Sequence, residues 1–175
     1  LNPQEDRLAF SALMRLDEDG GLVEYDFRKT VIRSRVKGVY SEINQILDGT
    51  AEEAIHKKYD GLEPILHQMK ALADRLARRR SQRGSLDLES TEAKILIGED
   101  GRVQDIVPRQ SGVSEGMIEE FMLVANEAAA SFGLARELPF LFRIHEDPSA
   151  EKLEALAELL KVLGLDTVRI KPGVQ

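Results

Sequence analysis

Leu8, Phe10, Ala12, Met14 and Leu16 alternate with Ala9, Ser11, Leu13 and Arg15. A repeat of two marks a strand with one buried face. After the turn residues Asp17-Glu-Asp-Gly-Gly21, the side chains Val23, Tyr25 and Phe27 alternate with Glu24, Asp26 and Arg28. Two strands around Gly-rich turn chemistry predict a hairpin, with Val31–Val36 extending its second arm or following it after a bend. A second hairpin is predicted where Ile95–Ile97 and Val103–Val107 flank Gly98-Glu-Asp-Gly101.

Between the hairpins the period changes to that of a helix. Ile43, Ile46 and Leu47 predict a short helix ending at Gly49, and Thr50-Ala-Glu-Glu53 reads as a capping box for the next one. Ile55, Tyr59, Leu62, Leu66, Met69, Ala73 and Leu76 then form an apolar seam at spacings of four and three. Gly61 and Pro64 interrupt it, which predicts a break near Asp60 and then a long helix to about Arg80. Farther on, the pattern predicts a helix over 114–132, a strand over 140–144, and a last helix capped by Asp147 with Pro148 at its first position. That helix uses Leu153, Leu156, Leu160 and Leu163 and stops at Gly164, leaving Arg169–Gln175 as a loose tail. The fold class is α+β with antiparallel strands. No internal repeat, low-complexity tract or long linker divides the chain.

The 175 residues are 42 % hydrophobic and 31 % charged, ordinary for a globular chain. No run of about 18 apolar residues is present. The chain has no cysteine and no signal-peptide pattern, which points to a reducing, cytoplasmic location. A net charge of −7 argues against a freestanding nucleic-acid binder. Two basic stretches oppose that average: Arg28, Lys29, Arg33, Arg35 and Lys37, then Arg75, Arg78, Arg79, Arg80 and Arg83. Solvated charge on ordinary elements accounts for them equally well.

Metal and nucleophile signals are absent. An EF-hand beginning at Asp17 would need Glu at its twelfth position, where Arg28 stands, so Asp17–Gly21 is read as a turn. His56, His67 and His145 have no metal spacing, and no zinc site is expected without cysteine. No phosphate-binding loop, dinucleotide fingerprint or nucleophile elbow occurs. On the 114–132 helix, Met117, Phe121, Ala125, Ala128 and Phe132 mark one apolar side, and Leu123 falls nearly opposite. Glu119 and Asn126 share a flank two turns apart. A buried Glu there would need a partner, either a nearby Arg or a ligand. Tyr40 on its own reads as a core aromatic.

Five segments in fixed order change this picture. They are Asn2-Pro-Gln-Glu-Asp-Arg-Leu-Ala9, Ile32-Arg-Ser-Arg-Val-Lys-Gly-Val-Tyr40, Arg83-Gly-Ser-Leu-Asp87, Met117-Ile-Glu-Glu-Phe-Met-Leu-Val-Ala-Asn126, and Arg143-Ile-His-Glu146 followed by Pro148. Together they resemble the middle of the catalytic RNB domain of the ribonuclease II and ribonuclease R family, over about positions 1–165. The resemblance implies a hydrolytic, processive 3′→5′ exoribonuclease that releases nucleoside 5′-monophosphates with Mg²⁺. The family's Asp-rich metal motif and its later T-S-P-I-R-R-Y-x-D motif are not matched here. The chain is therefore expected to be an internal fragment of that domain, inactive alone, with no catalytic residue and no bound metal. Its expected partners are the 3′ end of single-stranded RNA and the remaining parts of the same RNB domain, with no membrane.

The resemblance also implies site residues. In the family, a Tyr closing the Ser-x-x-K/R-x-x-Tyr stretch and the first Glu of I-x-E-E-x-M contact sugar hydroxyls near the RNA 3′ end. Tyr40 and Glu119 occupy those places. A phenol and a carboxylate can each pair with a 2′-OH, the group that separates RNA from DNA. Leu88 stands where the family commonly has a Phe that stacks on terminal bases; it offers contact area but no π-face. His145 and Glu146 match the pattern and are read as structural, at a strand–helix junction. The competing reading is a non-catalytic protein-interaction module using the 55–76 seam and the acidic surface.

Overall fold

The computed structural model describes residues 2–85, 92–98, 100–109, 111–144 and 146–165. It divides into a unit spanning Leu1–Leu138 and a smaller one spanning Pro139–Gln175. Both predicted hairpins form, so the mixed α+β class holds. Strands β1 (Asp6–Leu16) and β2 (Leu22–Arg33) pair antiparallel, with Ala12 opposite Phe27 and Met14 opposite Tyr25. Asp17 Oδ1 accepts from the amides of Asp19 and Gly21 at 3.0 and 2.6 Å, which makes this acid a turn-former. Gly20 takes φ +80°, a left-handed conformation that side chains resist.

Four helices complete the first unit's main body: α1 (Tyr40–Asp48), α2 (Glu53–Lys58), α3 (Glu63–Gln82) and α4 (Val113–Ala135). Gly61, at φ +68°, and Pro64 in the first turn of α3 set the break that the sequence predicted. The seam from Ile55 to Leu76 is buried or half-buried throughout. Ile46, Tyr59 and Leu66 form its core, packed by Ile43, Leu47, Ile55 and Met69. On α4 the buried side chains are Ser114, Met117, Glu120, Val124 and Ala128. Phe132 carries this face to the hairpin, meeting Phe27 edge-on at 5.2 Å, and Phe27 stacks on Phe10 at 5.9 Å. Beyond that contact the hairpin overhangs: Leu8 is 90 % and Phe10 70 % exposed. The second hairpin pairs β3 (Glu92–Ile97) with β4 (Val103–Arg109).

Three local expectations fail for identifiable reasons. Thr50 does not cap α2: its amide donates to the Gln45 carbonyl at 2.9 Å, closing α1 behind left-handed Gly49, and Glu52 becomes the next N-cap. In the smaller unit, 140–144 forms no strand. Leu141 is 98 % and Ile144 74 % exposed, and no described strand pairs with them. Helix α5 (Ala150–Val162) is capped by Ser149, whose hydroxyl accepts from the Lys152 amide at 3.4 Å, rather than by Asp147. Pro148 precedes this cap, and Gly164 ends the helix at φ +74°. The Arg169–Gln175 tail lies outside the described residues.

Candidate nucleic-acid interface

Tyr40 opens α1 at the end of a loop pinned from three directions. Upstream, Gln4 donates from its amide to the Ser34 carbonyl at 2.7 Å and from Nε2 to the Arg35 carbonyl at 3.2 Å. The first and second sequence segments are thereby joined. Just before Tyr40, the Val39 amide donates to Tyr59 Oη at 3.0 Å. Tyr59 is buried and donates in turn to Glu42 Oε2 at 2.6 Å, which also takes Lys58 Nζ at 2.5 Å. The bonds from Lys58, then Tyr59, hold the Glu42 carboxyl below its usual range. The same bond raises Lys58, while burial and then Glu42 raise the Tyr59 phenol. Tyr40 itself is 42 % exposed, so it is not the core aromatic that its residue type alone suggests.

The third pin comes from α4. Gly112 is its N-cap and has no side chain to satisfy the first amides, so Asn44 of α1 does that work from outside. Asn44 Oδ1 accepts from the Ser114 amide at 2.8 Å, and the Glu115 carboxylate accepts from the Gly112 amide at 3.1 Å. Asn44 Nδ2 reaches the same carboxylate at 3.2 Å. A Cβ on Gly112 would lie 2.1 Å from that nitrogen, so only glycine leaves the space. Ser114, fully buried, donates to the Tyr40 carbonyl at 3.1 Å. Burial pushes the Glu115 carboxyl up, but the hydrogen bonds from Asn44, its own amide, Ser114 and Gly112 outweigh it and leave the group lowered.

Glu119 follows Glu115 by one turn on the same flank of α4 and is exposed. Among the described residues it has no ion-pair partner. The arginine partner considered for it belongs instead to its neighbour. Glu120 is buried and accepts from Arg80 Nε at 2.9 Å, while Arg80 also donates to Ser85 Oγ at 2.6 Å. Arg80 thereby bridges Ser85 of the third segment and Glu120 of the fourth, and Arg83 joins Glu127, the residue after the fourth, at 2.8 Å. Sequence reasoning missed the Glu120 pair and the Asn44 cap. The available signal for the first was position: Glu120 falls between Met117 and Val124 on the face that α4 buries. For Asn44 there was none, because its partners lie 70 and 71 residues away.

Leu88 and His145 lie outside the described residues. Glu146 is exposed in an irregular stretch, with no described strand before it. Among the described residues no three carboxylate or imidazole groups converge to hold a metal ion. The described side chains therefore do not fit the magnesium centre that the resemblance implies. No described helix is long and apolar enough to cross a membrane.

A family model described as the RNB domain matches residues 1–172. The chain belongs to the RNB family. Ribonuclease R of Thermotoga maritima is 37 % identical over 174 residues, covering 97 % of this chain and 24 % of that protein. Ribonuclease R of Escherichia coli is 34 % identical over 166 residues, covering 95 % and 20 % respectively. The structure of Mycoplasma genitalium RNase R in complex with ribose methylated single-stranded RNA superposes with a TM-score of 0.83 at 25 % identity. It covers 95 % of this chain and 25 % of the solved one. The same enzyme in complex with double-stranded RNA gives 0.83, covering 95 % and 29 %. This RNB chain thus spans about a quarter of the length of the relatives it matches.

Proposed function

We propose that this chain is part of a processive, hydrolytic 3′→5′ exoribonuclease and forms a sugar-reading wall of its RNA channel. The observation that carries the reading is the exposure of Tyr40 and Glu119 on two elements clasped by the Ser114–Tyr40 bond. Their neighbours Tyr59 and Glu120 are consumed by structural contacts, whereas these two residues are exposed. Exposed Arg35 and Lys37, in the loop leading to Tyr40, add positive charge for a phosphate backbone. The relatives held in the solved complexes are bound to RNA. In this reading the magnesium-binding carboxylates belong to other parts of the enzyme, which works in the cytoplasm. The chain takes no chemical step itself and is inactive alone. The overhanging Leu8, Phe10 and Val31 are covered by the remaining parts of the same RNB domain.

The test is binding of matched RNA and DNA oligomers by the chain. Tyr40→Phe removes one neutral hydroxyl, about 0.5–1.5 kcal/mol, and Glu119→Ala removes a charged acceptor, roughly 1.5–3 kcal/mol. Each is expected to narrow the RNA-over-DNA preference, Glu119→Ala more so. Equal losses on RNA and DNA would show that neither residue reads the sugar. Leu88→Phe restores a π-face and is expected to tighten binding of both oligomers, by at most about 1–3 kcal/mol.

A further inference from the structure

Five arginines crowd the last turns of α3 and its C-cap, and they divide by what they touch. Arg80 and Arg83 are neutralised by Glu120 and Glu127 of α4. Arg75, Arg78 and Arg79 are exposed and, among the described residues, form no ion pair. Their spacing of three and four places them on one stripe, which Gln82 continues.

This stripe lines an open cleft of about 550 Å³ whose other lip is Glu18 and Asp19, from the turn between β1 and β2. The lip is fixed in place. Gly20 is buried against α3, where a Cβ would lie in van der Waals contact, 3.5 Å from the Arg75 carbonyl carbon and from Leu76 Cδ2. Gly21 sits against Arg79, and Asp17 ties the turn from within.

Three guanidinium groups against two carboxylates leave one positive charge in excess. Were the cleft only an internal ion-pair network, its opposite charges would touch, and they do not. Guanidinium groups match phosphate oxygens in geometry as well as charge. The carboxylate lip repels a densely charged anion but admits a chain carrying one charge per phosphate. We propose that this cleft is a sugar-blind docking groove for a phosphodiester backbone, separate from the Tyr40–Glu119 surface. The inference rests on the reading of the chain as RNA-binding.

The experiment is titration of labelled single-stranded RNA and DNA of one sequence with the chain at several salt concentrations. The triple variant Arg75→Gln, Arg78→Gln, Arg79→Gln is expected to weaken RNA and DNA equally, by roughly tenfold or more at low salt. The slope of log affinity against log salt should fall by about 0.7 for each phosphate that is no longer neutralised. Glu18→Gln with Asp19→Asn is expected to tighten both ligands, and Arg83→Gln to leave the slope unchanged. Circular dichroism confirms that each variant is folded. An unchanged slope in the triple variant, tighter binding that fails to appear in the lip variant, or an effect on RNA alone overturns the groove. So does a wild-type chain with no affinity for either strand. The sugar-reading proposal fails separately, if Tyr40→Phe and Glu119→Ala leave the RNA-to-DNA ratio untouched while the arginine variant still loses both.

Discussion

The Ser114 hydroxyl donates to the Tyr40 carbonyl at 3.1 Å, across 74 residues of chain. It couples the residue proposed to read ribose to the first turn of the helix that carries Glu119. Asn44 completes the joint by supplying the cap that Gly112 lacks. Asn44→Ala strands the buried Ser114 amide and is expected to destabilise the first unit by about 1–2 kcal/mol, the usual loss for a cap. Ser114→Ala removes the hydroxyl shared between the Tyr40 carbonyl and the Glu115 carboxylate, at 3.1 and 3.2 Å, and should cost about 1–2 kcal/mol. Urea unfolding followed by tyrosine emission is a selective probe. The chain has three tyrosines and no tryptophan, and Tyr25, Tyr40 and Tyr59 all lie in the first unit. A wild-type midpoint for Asn44→Ala would mean that the trans cap carries no weight.

Adjacent glutamates should behave in opposite ways. Glu120→Ala leaves the Arg80 guanidinium, about a quarter exposed, without its carboxylate beneath α4. Hydrogen bonds to charged groups are worth roughly 1.5–3 kcal/mol, so a loss of about that size is expected in urea unfolding. Glu119→Ala alters an exposed side chain and should move stability by less than about 0.5 kcal/mol. On the proposed reading its effect falls on RNA binding. If Glu119→Ala unfolds the chain as readily as Glu120→Ala does, Glu119 is structural and the sugar-reading assignment loses its basis.

Both hairpins, the break at Gly61 and the seam from Ile55 to Leu76 were legible in the sequence, because period and turn chemistry are local properties. The family was legible for a different reason: five short segments kept their order. What local reading missed was decided by packing across the fold. Thr50 looked like a cap, but its amide was needed to close α1. Residues 140–144 have strand composition, yet a strand exists only where another pairs with it. The Glu119–Glu120 pair shows the limit most clearly. Helical spacing places the two residues about 100° apart, and which one faces α3 depends on packing that the pattern of Met117, Val124 and Ala128 only partly encodes.

The Glu42–Lys58–Tyr59 cluster should bound stability on both sides of neutrality. On the acid side, Glu42 is lowered by Lys58 and Tyr59, Asp26 chiefly by its bond with Arg28, and Glu115 by the hydrogen bonds that outweigh its burial. A lowered carboxyl contributes stability above its unfolded value and loses it as pH falls through the folded one. The acid limb should therefore begin near the ordinary glutamate value of 4.5 and deepen below it. On the alkaline side, Lys58 and Tyr59 are raised from ordinary values of 10.5 and 10.0. Both favour the protonated form in the folded state, so their contribution is complete below those values and disappears above them. The urea midpoint should be flat over about pH 6 to 9 and fall on either side. Glu42→Gln removes one depressed carboxyl, the main cause that raises Lys58, and the second cause, after burial, that raises Tyr59. One substitution should therefore make both limbs shallower, measured by circular dichroism in urea at each pH. A variant that keeps the wild-type profile at both ends would show that the cluster contributes packing, not charge.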